Sequence, residues 1–225
     1  QKSTQKNIYD DHHFAQSKRR ESIMNICTSR QKGASLIVSL LMLIVVTLIG
    51  ISGSQIALLS EKASRNDRDR QIAFQAAEAA LLDAELDIEH SPDAAKSRSQ
   101  LFGKDSAQGF PSEPGCQTGV ANIQLGLCQR TAEGSPPIWQ TVNFLDDGLA
   151  STNSVPYGTF TGQTFATGKG SLPAKLPRYV IELMSYNKQG ESAERPSYFY
   201  RITAIGFGAH EVTQVVLQTF YRKES

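Results

Sequence analysis

The chain has 225 residues, with 23 Lys and Arg against 22 Asp and Glu and a formal net charge of +1. That length allows one ordinary domain plus an appendage, and the balanced charge excludes the clustered basic face that nucleic-acid binding requires. The averages conceal an asymmetry: residues 34–60 contain no Asp, Glu, Lys or Arg, and the chain beyond residue 60 is polar and rich in Gly, Ser, Thr and Pro. Such a chain is expected to be a soluble domain tethered to a membrane.

Residues 1–23 carry His12 and His13 and a basic cluster at Lys18, Arg19 and Arg20, with no usable hydrophobic period. They are expected to be disordered, as an over-extended reading frame or a non-native start, with Met24 the better beginning. His12 and His13 are then not a metal site. Residues 24–33 read as a short basic leader that contains Cys27.

The uncharged run 34–60 exceeds the roughly 20 apolar residues a membrane helix needs. Arg30 and Lys32 precede it, which puts the N-terminal side in the cytoplasm and the bulk of the chain across the membrane. A secretory signal peptide would have a shorter apolar core followed by a small-residue cleavage site. A plain signal anchor would not need a basic residue and a glycine set directly against the apolar run.

That junction, Gln31-Lys32-Gly33-Ala34-Ser35-Leu36-Ile37, resembles the signal of type IV prepilins. The resemblance implies cleavage by a prepilin peptidase after Gly33 and N-methylation of Ala34 as the mature N-terminus. Glycine at the cut lets an enzyme approach the backbone closely. Most pilins carry Glu at the fifth mature position, where this chain has Val38. In the family that acid pairs with the N-terminal amine of a neighbouring subunit, and an unpaired charge in an apolar core is costly. Val38 therefore points to a subunit with no neighbour ahead of it, near the filament tip; a divergent pilin or a non-filament protein remains the other reading.

The helical pattern continues through 61–90. Charge is dense over 61–70, and then Phe74, Ala77, Leu81, Ala84 and Ile88 recur at spacings of three and four, predicting one apolar stripe. Gln75, Glu78, Asp83, Glu85 and Asp87 are expected mostly to avoid it. Ser91-Pro92 ends the helix, which at 1.5 Å per residue spans roughly 80 Å. Gly50 and Gly53 read either as a soft spot between the two halves or as a helix–helix contact in the membrane. The run Ala73-Phe74-Gln75-Ala76-Ala77-Glu78-Ala79-Ala80-Leu81 is similar to the N-terminal region of PilX-type minor pilins. Residues 177–182, and 200–204 through 214–218, are similar to that family's final strands.

Residues 91–225 are expected to form a periplasmic globular domain. Its first part reads as loops, with 138–140 and 157–162 the best candidates for ordered pieces. Three strands come after it, at 179–184, 198–205 and 212–221, with 206–210 as a hairpin loop and Asn187 to Gly190 opening the connection before them. The predicted fold is α+β and pilin-like, the long N-terminal helix packing on a C-terminal antiparallel sheet. Cys116 and Cys128 are an even pair in the exported part and read as a disulfide.

No Gly-x-Ser-x-Gly, Walker A, Gly-x-Gly-x-x-Gly or His-Glu-x-x-His pattern stands as a working motif. His90 and His210 have no second ligand at metal spacing, and Asp146-Asp147-Gly148 reads as a turn more readily than as a calcium loop. The expectation is a non-enzyme with no cofactor, no metal and no small-molecule substrate. By resemblance it is a minor pilin that primes the type IV pilus near its tip. The implied partners are other minor pilins, the major pilin, a tip adhesin, the prepilin peptidase and the inner membrane. A minor pseudopilin of a type II secretion system and a signal-anchored periplasmic protein are the alternatives.

Overall fold

The computed structural model describes residues 33–186 and 197–223. The expectations for 1–32, and for the turn opening at Asn187, lie outside the described residues. One helix, α1 (Ala34–Glu89), runs unbroken through Gly50 and Gly53. The chain divides into two compact units at Lys62/Ala63, so α1 contributes to both.

Within the first unit, the described part of α1 is uncharged up to Ser60. Its leucines, isoleucines and valines are exposed along every side of the helix, and α1 is long and apolar enough to cross a membrane. The few hydroxyls do not break this surface. Ser39, Thr47 and Ser52 donate to the carbonyls of Leu36, Ile44 and Leu48 at 2.8–2.9 Å, so these three hydroxyls are satisfied within the helix.

The second unit packs the rest of α1 on a six-stranded sheet. Its strands are β1 (Gly115–Cys116), β2 (Leu127–Gln129), β3 (Val155–Pro156), β4 (Arg178–Tyr186), β5 (Ser197–Phe207) and β6 (Gln214–Tyr221). The order is β1-β2-β4-β5-β6, with β3 on β4. The last three strands are the expected antiparallel meander. Beyond it the sheet is mixed, because β2 joins β4 in parallel; strands of two or three residues leave no period to read in sequence. The expected hairpin loop also begins later, since Gly206 and Phe207 remain in β5 and pair with Val215 and Gln214.

Strand alternation gives the sheet two buried faces. Tyr179, Ile181, Tyr200 and Ile202 point into the cluster that contains Ala80, Ala84 and Ile88 of α1. Val180, Ile205 and Phe207 point the other way, onto Cys128, Ile138, Val142 and Phe144. Residues 138–140 are ordered as the sequence suggests, as a short 3-10 helix.

The buried stripe of α1 is rotated from the predicted one. Phe74 is 43% exposed and Leu81 only half-buried, while Ala73, Ala76, Ala77, Ala80 and Ala84 are buried, together with Asp69, Asp83 and Asp87. Side-chain size is the reason. A Cβ added at Gly206 would stand 2.1 Å from the Ala73 carbonyl oxygen and 2.3 Å from the Ala77 nitrogen. The two backbones approach too closely for a Phe between them, so the small residues face the sheet.

Candidate functional site

Gly33 forms the turn that leads into α1, and Ala34 is its first helical residue; both are exposed. Among the described residues nothing lies within 4 Å of a Cβ placed on Gly33. Val38, one turn further on, is 58% exposed. The first turn of α1 contains no acid, so it offers no carboxylate to a neighbouring amine.

The other candidates are far from this junction in sequence. Cys116 and Cys128 face each other across the β1–β2 pair and are bonded, with S–S 2.02 Å. The Asp146 carboxylate accepts from the Gly148 N–H at 2.8 Å and from the Ser151 hydroxyl at 3.1 Å. The Gly148 bond, then the Ser151 bond, hold its pKa below the ordinary value. Asp147 accepts from Lys175 and Arg178. Residues 146–148 thus form a side-chain-capped turn tied to β4. His210 meets Asp69 at 3.2 Å, and the His90 N–H ends α1 on the Leu86 carbonyl.

Two of the polar groups that organise the second unit, Asp83 and Asp87, are ones the sequence pattern placed off the apolar stripe. Arg98 is fully buried, donates to both oxygens of Asp87 and to the carbonyls of Ile123 and Leu125, and lies over the Phe160 ring. The Tyr179 hydroxyl also donates to Asp87 at 2.8 Å, and its pKa stands well above 10, chiefly from burial and then from the Asp87 charge. One turn earlier, Asp83 accepts from the Gly158 N–H at 2.8 Å and from the Thr161 hydroxyl. Burial raises the Asp83 pKa, against the lowering by those two bonds, and the Asp87 charge raises it further. These carboxylates hold the loops around 98, 123–125 and 158–161 to the helix. The sequence signal that could have found them is the four-residue spacing of Asp83 and Asp87 on the alanine face.

Farther back along α1, Asp69 holds the β5–β6 turn. Asp69 accepts from the backbone of Ala209 and from His210 and Thr213. Burial pushes its pKa up, but the Thr213, His210 and Ala209 bonds together outweigh that and leave it low. A Cβ on Gly208 would meet the Asp69 carboxylate at 2.5 Å.

The arrangement is a framework without an assembled set of reactive groups among the described residues. Comparison with known families gives two matches. A family model described as PilX N-terminal matches residues 32–82, which begins at the residue before Gly33. A second, described as type IV pilus assembly protein PilX C-term, matches residues 124–223 and so takes in β2 to β6. No curated protein and no solved structure matches the chain.

Proposed function

The chain belongs to the PilX family of type IV pilus assembly proteins, and on that premise we propose that it is a minor pilin that primes the filament and stays near its tip. The observation that carries this reading is the start of α1. An exposed Gly33 and Ala34 lead directly into the uncharged run of α1, with Val38 where an acid would pair with a preceding subunit. A subunit lacking that acid can be followed by others but gains nothing from having one ahead of it.

Residues 34–60 hold the precursor in the inner membrane with the C-terminal domain in the periplasm. A prepilin peptidase cleaves after Gly33 and the amine of Ala34 is methylated. The helix then packs with those of other minor pilins and the major pilin, and the 91–225 domain faces a tip adhesin. The chain acts as a structural subunit and not as an enzyme. Deleting it from the source organism and counting surface pili tests the reading, with complementation by Gly33→Leu as the control for processing. Loss of pili that the wild-type chain restores and Gly33→Leu does not is the expected result; undiminished piliation after deletion overturns it.

A further inference from the structure

Arg98 stands between two separate constraints. On one side its Nε and Nη2 donate to Asp87 of α1 at 2.6–3.0 Å. On the other its Nη1 donates to the carbonyls of Ile123 and Leu125 at 3.0 and 2.7 Å. Those two carbonyls lie within residues 117–127, the loop that the Cys116–Cys128 bond closes. One buried side chain therefore connects the disulfide loop to the helix.

The two legs of that loop are not held equally. β2 pairs with β4 as well as with β1, so it stays on the sheet without the disulfide. β1 is two residues long and pairs with β2 alone among the described strands. Past β1, Gln117 exchanges backbone bonds with Gly126 and Leu127, and Gly119 and Val120 donate to the carbonyls of Thr152 and Leu149. A run of turns then starts from this weaker leg. The Asn122 N–H donates to the Gly119 carbonyl and the Leu125 N–H to the Asn122 carbonyl, each at 3.0 Å. The β1 leg thus helps to set where the Ile123 and Leu125 carbonyls stand. Arg98 is fully buried, and a buried donor that loses its acceptor costs its full desolvation. The guanidinium cannot ignore a shift of the loop.

We propose that the Cys116–Cys128 bond is a redox latch on the attachment of α1. Its closure sets the carbonyls that hold Arg98 on Asp87. Its reduction loosens the segment 91–101 from the end of the helix while the sheet stays formed. This inference stands apart from the pilin reading. A thiol reductant completes the chemistry. Cys116 is partly exposed and Cys128 fully buried, so a thiolate attacks the Cys116 sulfur, and Cys128 leaves as a thiolate and takes a proton. A second thiol attacks the mixed disulfide, which frees Cys116 and leaves the reductant as a disulfide. Linkage makes the latch reciprocal: as the disulfide secures Arg98, so Arg98 secures the disulfide.

The test is the thiol–disulfide equilibrium of the full chain in detergent, across a series of reduced-to-oxidised glutathione ratios, read by maleimide labelling. Cys27→Ser in every chain leaves one exchanging pair. Arg98→Lys keeps a cation on Asp87 but lacks the fork that reaches the carbonyls. Asp69→Asn weakens the hold of α1 on the β5–β6 turn, a tie that shares no residue with the loop. The expected result is that Arg98→Lys favours the thiols by about tenfold, an ordinary coupling between linked sites, and that Asp69→Asn matches the parent chain. Equal equilibria in all three chains, or a shift with Asp69→Asn as large as with Arg98→Lys, overturn the proposal. Hydrogen exchange on the parent chain, with and without reductant, is a second measurement that leaves the site unaltered. Reduction should speed exchange at Leu101 and Phe102, whose N–H groups bond to the Arg98 and Ser99 carbonyls, and leave Gly158, held by Asp83, unchanged. No change at Leu101 and Phe102, or an equal gain at all three, also overturns it.

Discussion

Arg98 and Asp87 meet at 2.6 Å with neither side chain exposed. The pair is eleven residues apart in sequence, and it fastens the segment after α1 to the last turn of the helix. The guanidinium also spans to two carbonyls and a ring, so every group it buries is engaged.

Breaking one side of such a pair leaves a buried charge without its partner, which costs about 3–5 kcal/mol. Arg98→Ala and Asp87→Ala are each expected to lower stability by about that amount. The double variant is expected to lose less than the sum of the two. Urea unfolding of the detergent-solubilised chain, followed by tyrosine fluorescence or circular dichroism, measures it; additive losses would show that the pair does not act as a unit.

Asp83 gives a pH dependence of opposite sign to the usual carboxylate. Its folded-state pKa is raised, so the folded state binds more protons than the unfolded chain between the ordinary carboxylate value and the folded one. Its contribution is therefore fully present below the ordinary value and is lost as pH rises through the folded value. Asp69, held low, contributes stability above the ordinary value that is lost as pH falls below it. Acidifying from neutral toward the carboxylate range should stabilise the wild type more than Asp83→Asn, measured as the shift in thermal midpoint. Equal shifts in the two proteins would remove Asp83 from this role.

Gly206→Ala should be among the most damaging small substitutions. The new Cβ overlaps the backbone of α1 at Ala73 and Ala77, and neither a helix nor a central strand can yield as a side-chain tip does. A loss of about 3 kcal/mol, in the upper range for overpacking, is expected. Ala73→Gly combined with it should restore little, because the clash is with backbone. The thermal midpoint of each variant tests this.

The Cys116–Cys128 bond closes a short loop, with a sequence separation of 12. Chain-entropy reasoning assigns such a loop about 3 kcal/mol. Cys116→Ser with Cys128→Ser should lower the unfolding midpoint accordingly, and the wild type in reductant should match it. A reductant effect that persists in the double serine variant would place its cause elsewhere.

Much of this fold was legible in the sequence because periodicity and composition carried it. The uncharged run 34–60 and the alternating strands at the C-terminus are long patterns whose physics is local. The buried face of α1 was less legible. Phe74 looked like a core residue and Asp83 and Asp87 looked like solvent residues, since hydrophobicity was weighed without the size limit that Gly206 imposes from more than a hundred positions away. The short strands β1 to β3 were missed for a similar reason, as two or three residues bonded to β4 or to each other leave no pattern of their own. Gly33, Ala34 and Val38, by contrast, are read entirely from order along the chain.

The minor-pilin function stands or falls on that order. The direct measurement is the mass of the N-terminal peptide after the full chain is co-expressed with a prepilin peptidase. The predicted product is a chain that begins at Ala34 with a methylated amine, and no such product forms from Gly33→Leu. An N-terminus that remains uncut, or a cut at any other bond, would contradict the proposed function.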